Sequence, residues 1–418
     1  MKKLLENIVS NKEKLIVLFD QGLVSGVNFV VGILLARILG LDEYGLFALA
    51  WMVVMFASSL HQAFVVLPLY TLLPKQENKR KYLSSLMAVQ VGFSVITFCI
   101  SMVVVTLILQ FFPEWNRPYI VLNLACTAAL FVFNDYMRRL FFTLHRPFTT
   151  LVLDCIAYGL QPVIILTLHY ANALSITTVF IAMNTILTVS ILVAIFTKYS
   201  HGISFRTIHI TLLKNWKFSQ YLIGTAFLQW VSGNLFIVVA GGIIGPMAVG
   251  AIRIAQNIVG VLHVLFLAME NLVPIRASEL LHQKGRIPMM QYVGKVSKQA
   301  ALPTIGLLLI ITLFRQPIIA LLYGAEYLPF QTLLLAFCGL YVLVFIGTIL
   351  RFVIITIENN SVIFISYVAS SVFSLILAKP LVGHFGLTGV MIGLFSLQIL
   401  TLSIYLFSLK NDIRWIFK

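Results

Sequence analysis

The stretch from Ala251 to Asn271 reads AIRIAQNIVGVLHVLFLAMEN, an apolar run that nevertheless carries Arg253, Gln256, Asn257, His263, Glu270 and Asn271. Positions 253, 256, 257, 260, 263, 267, 270, 271 and 274 advance by threes and fours, so on a helix they share one face. The other positions are Ile, Val, Leu, Phe, Ala and Met. An ionised group near the centre of a bilayer costs about 2.5–3.5 kcal/mol on insertion scales, so a stripe of this kind is tolerated only against water or other polar helices. Two readings follow: a membrane helix lining a cavity, or a polar seam in which Gln and Asn bond between packed helices.

The rest of the chain supplies the membrane setting. Its 418 residues are 60% hydrophobic and only 10% charged, with a mean hydropathy of +1.00. Soluble domains stay near 45–50% apolar. Runs of the roughly 20 residues that a hydrocarbon core of about 30 Å demands recur at 15–37, 44–68, 84–111, 117–142, 149–170, 176–196, 218–243, 249–273, 302–323, 331–355, 361–382 and 387–409. The ten-residue alternation of membrane strands is absent. The expectation is an all-α polytopic membrane protein with about twelve transmembrane helices.

The net charge of +15 is distributed by topology. With the N-terminus inside, alternate connections hold all of the 29 Lys and Arg residues except Arg37, Arg117, Arg253, Arg315 and Lys379. The positive-inside rule then places both termini in the cytoplasm and requires an even helix number. The excess charge is thereby absorbed by topology and lipid headgroups, which argues against nucleic acid. The basic N-terminal segment lacks a small-residue cleavage site and reads as a retained cytoplasmic stretch. Cys99, Cys126, Cys155 and Cys338 fall in apolar runs without paired spacing and read as buried small hydrophobes.

The segment from His201 to Gln220 divides the helices six and six, giving an N-terminal lobe at 1–200, a cytoplasmic linker at 201–220 and a C-terminal lobe at 221–418. A faint repeat accompanies the division. VSGVN at 24–28 parallels VSGN at 231–234, and Gly40-LDEY-Gly45 parallels Gly245-PMAV-Gly250. Lobes that each start inside with an even helix count are parallel repeats, with substrate expected in a central cavity between them.

Other spans are polar too. In the first helix Gln21, Ser25, Asn28 and Gly32 share a face, flanked by Asp20 and, toward the outer end, Arg37; both charges also fit interfacial snorkelling. Gln229, Ser232 and Asn234 sit in the seventh. From Asn134 to Gln161, Asp135 precedes Arg138 and Arg139 by three and four residues, which predicts intrahelical ion pairs. Asp154 lies beyond the turn containing Arg146 and Pro147. This cluster fits a charge-neutralised hairpin, or an entrance at which Arg139 or Arg146 meets phosphate. Pro274 is expected to end the eighth span, with 276–286 as a short surface helix. No P-loop, zinc-protease, Cys/His cluster or nucleophile-elbow motif occurs, so neither a cofactor, a metal nor an enzymatic activity is expected.

The run DQGLVSGVNFVVGILLARILGLDEYGLFALAW, Asp20–Trp51, resembles the opening signature of bacterial polysaccharide flippases of the Wzx type, in the multidrug/oligosaccharidyl-lipid/polysaccharide exporter superfamily. Ser25, Asn28, Phe29, Leu35, Ala36, Arg37, Gly40, Tyr44 and Gly45 carry the likeness, with DYMRRLFFTLHRP and Asp154 beyond it. The resemblance implies a two-lobe bundle around a central cavity in the bacterial inner membrane. It would carry oligosaccharide linked to polyprenyl pyrophosphate outward by alternating access, for O-antigen, capsule or exopolysaccharide synthesis. Partners would be membrane lipids, a polysaccharide polymerase and chain-length machinery. Arg37, Arg253 and Arg139 are then the basic candidates for substrate, beside Gln21, Asn28, Gln229, Asn234, Gln256 and Asn257. Asp20, Glu270 and His263 are candidates for ion coupling. A multidrug or small-cation antiporter of the same architecture is the alternative. The short outer connections argue against a membrane polymerase or ligase.

Overall fold

The computed structural model describes residues 2–196 and 205–410, with side chains from 15 to 196 and from 207 to 410. Residues 201–204 of the expected linker lie outside the described residues, as do Lys198, Arg414 and Lys418 and the side chains of Lys2, Lys3, Lys12, Lys14 and Arg206. The described chain is helical between short turns. Lipid offers no hydrogen bonds to a peptide group, and a helix satisfies each group within its own segment.

Helix α1 runs Lys2–Leu39. The following spans are α2 (Leu41–Lys75), α3 (Lys79–Phe111), α4 (Ile120–Thr143), α5 (Pro147–Tyr170) and α6 (Ile176–Phe196). Helix α7 is Phe205–Ile243. Helix α8 consists of Pro246–Val259 and Leu262–Lys284, bent by 57°. Helix α9 (Arg286–Leu313), a short helix (Arg315–Leu322) and α10 (Ala325–Thr356) follow.

The last helix, Asn360–Ser408, has 49 residues, which at about 1.5 Å per residue is more than twice the bilayer core. Gly386, at φ 57° and ψ −134°, breaks it into α11 (360–385) and α12 (387–408). With the bent α8 taken as one span and this helix as two, twelve spans are present among the described residues. The fold is the expected all-α, two-lobe membrane bundle.

The chain forms two compact units, Met1–Phe227 and Leu228–Lys418. The boundary lies within α7. From residue 205 onward the segment read as a linker is the start of this helix, fastened to the first unit: the Tyr82 hydroxyl donates to Asn215 Oδ1 (3.1 Å) and Lys214 Nζ to Gln76 Oε1 (3.3 Å).

Each unit is built around its fourth helix. In α4 and in α10, 56% of the most apolar window is buried, the highest share among the spans. Tyr136, Met137, Leu140 and Phe141 of α4 pack with Leu69, Leu86 and Leu153 in the first unit. Conversely, α3 turns Val91, Val95, Ile100, Val103 and Leu107 outward, at a spacing that makes a lipid-facing stripe.

The faint sequence repeat has a structural counterpart. Gly40 (φ 77°, ψ 174°) and Gly245 (φ 113°, ψ 172°) hold the same left-handed turn before the second helix of each unit. At the far end of the fourth helix the match is closer. RRLFFT (138–143) and RFVIIT (351–356) each end in Thr. The caps Leu144 (φ −86°, ψ 10°) and Ile357 (φ −87°, ψ 10°) coincide, and His145 (φ 54°) and Glu358 (φ 59°) follow in the left-handed region. Arg138 and Arg351 are thus repeat-equivalent.

Several local expectations change. The helix containing Ala251–Asn271 is not straight: at Gly260 and Val261 the bonds shorten to His263 N–Gly260 O (2.9 Å) and Val264 N–Val261 O (3.3 Å). Pro274 does not end the span, and 276–284 continue α8, because a proline removes a single donor and the helix bridges it. Cys99 and Cys155 are exposed rather than buried, and only Cys338 is fully buried; acyl chains accommodate a thiol as readily as a core does.

The kink at Gly386 yields a test. A Cβ at Gly389 would lie 2.0 Å from the Leu381 carbonyl oxygen, and alanine at 386 would be held in a backbone region that side chains disfavour by about 1–3 kcal/mol. Gly386→Ala and Gly389→Ala should each lower the thermal unfolding midpoint of the detergent-solubilised protein. Unchanged midpoints for both would mean that the kink is not a constraint.

Candidate functional site

The first unit concentrates its charge at the end of α4. Asp20 and Asp154 are completely buried, and Arg138 joins them, its Nη2 donating to Asp20 Oδ2 (2.9 Å) and its Nε to Asp154 Oδ2 (2.5 Å). Helices α1, α4 and α5 are thereby tied through one guanidinium. Arg138 therefore does not pair with Asp135 as its spacing suggested: Asp135 is taken by Arg139, whose Nε reaches both carboxylate oxygens (3.1 and 2.9 Å). With Asp135 engaged by the Arg139 Nε–H, which is shared between its two oxygens, the second arginine reaches across helices.

A second network continues from Asp135. Gln62 Nε2 donates to its Oδ2 (3.2 Å), and His61 Nδ1 stands 3.5 Å from the same oxygen. His61 Nε2 faces Gln90 Oε1 at 2.9 Å, while the Gln90 amide donates to Ser94 Oγ and to the Val132 carbonyl. His61, beside Gln62, and Gln90, alone in an apolar run, belong to no motif that the sequence displays. Their signal, an isolated polar group on a buried face, exists in the sequence, but its partner lies on another helix. One turn of π-helix follows each cluster, Gln62–Val66 after His61 and Cys155–Gly159 after Asp154. Such turns recur where a helix is adjusted for function.

The second unit presents its polar groups differently. A cavity of about 590 Å³ opens among α7, α8, α10, α11 and α12, with Gln229, Ser232, His263, Glu270, Arg351, Tyr367, Gln398 and Tyr405 among its walls. Its size falls within the roughly 300–1,000 Å³ of small-molecule sites. Arg351 Nη2 donates to Glu270 Oε1 (2.8 Å), and the Tyr341 hydroxyl lies 3.0 Å from His263 Nε2. The side chain of Glu270 is 46% exposed and that of Arg351 27%.

The expected site residues separate into groups. Asp20 and Arg139 are in the buried clusters of the first unit. Gln21 and Asn28 are exposed on one face of α1 and Arg37 is exposed on the opposite side. Gln229, His263 and Glu270 meet at the cavity. The bend in α8 puts Arg253, Gln256 and Asn257 on its first segment, away from the cavity walls: Arg253 Nη1 donates to Gln256 Oε1 (2.9 Å), and Asn257 Nδ2 to the Tyr323 hydroxyl (2.8 Å). Asn234 Nδ2 donates to the Trp230 carbonyl within its own helix (3.0 Å). Arg351 went unremarked as a site because a single charge near a helix end reads as topology.

A family model described as polysaccharide biosynthesis protein matches residues 34–332. The chain belongs to that family. Solved structures extend the likeness across the whole polysaccharide biosynthesis chain. An inward-facing multidrug resistance MATE family transporter of the MOP superfamily aligns with a TM-score of 0.73 at 14% identity, covering 93% of this chain and 94% of the other. The lipid II flippase MurJ in an inward closed conformation aligns at 0.68 and 17% identity, covering 99% and 89%. A MOP superfamily transporter from Pyrococcus furiosus aligns at 0.63 and 13%, covering 97% and 95%. No match was found among curated proteins. At such identities the likeness carries the fold. Family and fold together make this a multi-pass membrane protein of polysaccharide biosynthesis with the fold that the MATE and MurJ structures share.

The buried triad yields the second test. Removing one partner of a buried ion pair costs about 3–5 kcal/mol, because it strands a charge. Arg138→Leu should therefore strongly lower expression and the unfolding midpoint, and adding Asp20→Asn with Asp154→Asn should restore part of the loss. A triple variant no more stable than Arg138→Leu alone would remove charge stranding as the cause.

Proposed function

We propose that this protein is a flippase for oligosaccharide linked to polyprenyl pyrophosphate, moving repeat units from the cytoplasmic to the outer leaflet of a bacterial inner membrane, with both termini cytoplasmic. The family match to polysaccharide biosynthesis on a transporter fold carries the reading. A protein of polysaccharide assembly that is built as a transporter has a lipid-linked sugar as its natural cargo. The walls of the second-unit cavity agree with it, since amides, hydroxyls and aromatic rings are the groups that hydrogen-bond and stack on sugars.

Transport proceeds by alternating access: binding energy for pyrophosphate and sugar favours one state, and re-exposure releases the cargo on the other side. Arg37, Arg139 and Arg253 supply positive charge along the path, and Gln21, Asn28, Gln229, Asn234, Gln256 and Asn257 supply neutral hydrogen bonds. Asp20 is the foremost group for ion coupling, with His263 second. Two buried carboxylates share one guanidinium at Asp20, Asp154 and Arg138, so the cluster gains neutrality by taking up a single cation. The same cluster favours the second reading, a cation antiporter, in which it would be the transport site itself.

The decisive experiment depletes the protein from cells and reads the leaflet location of the lipid-linked oligosaccharide by enzymatic access from outside. Accumulation on the inner leaflet is expected, and Arg253→Ala should fail to relieve it despite normal membrane insertion. Unchanged translocation on depletion would favour the antiporter, and full rescue by Arg253→Ala would take Arg253 out of the substrate path.

A further inference from the structure

Arg351 holds in the second unit the place that Arg138 holds in the first, five residues before the closing Thr of the central helix and before identical caps. Their partners differ. Arg138 meets two fully buried carboxylates, one through Nε and one through Nη2. Arg351 meets one carboxylate, through Nη2 alone, and that carboxylate is nearly half exposed. Its Nε is buried and has no hydrogen-bond partner among the described residues. The Arg139 Nε–H, by contrast, is met, shared between both Asp135 oxygens.

We propose that Arg351 is the phosphate-binding group of the second-unit cavity and that Glu270 is its built-in competitor, holding the guanidinium until the phosphate of a glycosyl phosphate or diphosphate displaces it. The proposal rests on the flippase reading for the identity of the cargo.

Three features carry it. Among the described residues, Glu270 and Arg351 are the only formally charged ones in the cavity walls, so an anionic ligand there has one attractive group and one repulsive one. A guanidinium presents five donors in a planar fork, and a phosphate offers acceptors to two of them at once, whereas Glu270 takes one. An unmet buried donor is unfavourable, so the pair is incomplete as it stands and turning toward a ligand with more acceptors completes it. Beside this charge, Gln229, Tyr367, Gln398, Thr401 and Tyr405 line the same space with the hydrogen-bonding and ring surfaces that a sugar next to the phosphate requires.

The positive-inside distribution places Arg351 on the cytoplasmic side, where a lipid-linked sugar is loaded. Charge neutralisation by Glu270 keeps the empty cavity from capturing ordinary anionic lipid, because any ligand must out-compete an internal carboxylate.

The test uses the full-length protein in detergent, farnesyl pyrophosphate as a short polyprenyl pyrophosphate, and phosphatidylglycerol as the bilayer anion, with affinity read by thermophoresis. A competitor and its target respond in opposite directions. Glu270→Gln should tighten farnesyl pyrophosphate binding several-fold, and Arg351→Gln should weaken it about tenfold or more. Arg351→Lys, which keeps the charge and the fold but not the fork, should fall between wild type and Arg351→Gln. If both Glu270→Gln and Arg351→Gln weaken binding, or neither alters it, the pair is structural and the proposal is overturned while the flippase reading stands. Equal binding of phosphatidylglycerol would overturn the assignment to a sugar-linked phosphate. No binding by wild type or Glu270→Gln would count against the flippase reading and this site together.

Discussion

Arg138, held between Asp20 and Asp154, ties three helices of the first unit through one buried guanidinium. Lipid makes such a tie necessary. Apolar side chains gain nothing by leaving acyl chains for one another, so helices in a bilayer associate through close packing and through polar groups that must find partners. Once a charge is placed in the apolar interior, the positions of its neighbours are restricted to those that neutralise it. The end of α4 is where this restriction acts, and α1, α2 and α5 are arranged around it.

The same requirement explains the shape of the individual helices. Backbone groups in hydrocarbon must stay bonded, so deviations occur where the bonding can be re-routed. A one-turn π widening after His61 and after Asp154 keeps the ladder closed while turning the following residues. The bend of α8 is closed by tightened bonds at Gly260 and Val261. Both kinds of adjustment lie beside polar side chains, where a small rotation decides which groups meet.

Much of the fold was legible in the sequence because hydropathy is a property of one segment at a time. Twelve apolar runs, the paired glycine turns at Gly40 and Gly245 and the membership read from Asp20–Trp51 all belong to local patterns. The site was legible only in part, because its meaning lies in pairs. Asp135 offered itself equally to Arg138 at three residues and Arg139 at four, and no spacing rule shows that Arg138 reaches Asp154 and Asp20 on other helices. The polar stripe of α8 was visible as a stripe, but its division at Gly260 was not, since Pro274 is the stronger breaker in water and the weaker one here. Arg351 was visible as a charge and not as a site, for its partner stands 81 residues earlier in the chain.

The two units have diverged from a common plan in how they treat one position. At the end of the central helix each keeps an arginine, a closing threonine and a left-handed residue beyond the cap. In the first unit the arginine is enclosed between two buried carboxylates. In the second unit the arginine faces a cavity and is balanced by one carboxylate that remains half in the open. With the same residue at the same place in the pattern, the number and burial of the carboxylates around each arginine set how much of its charge is met inside the protein.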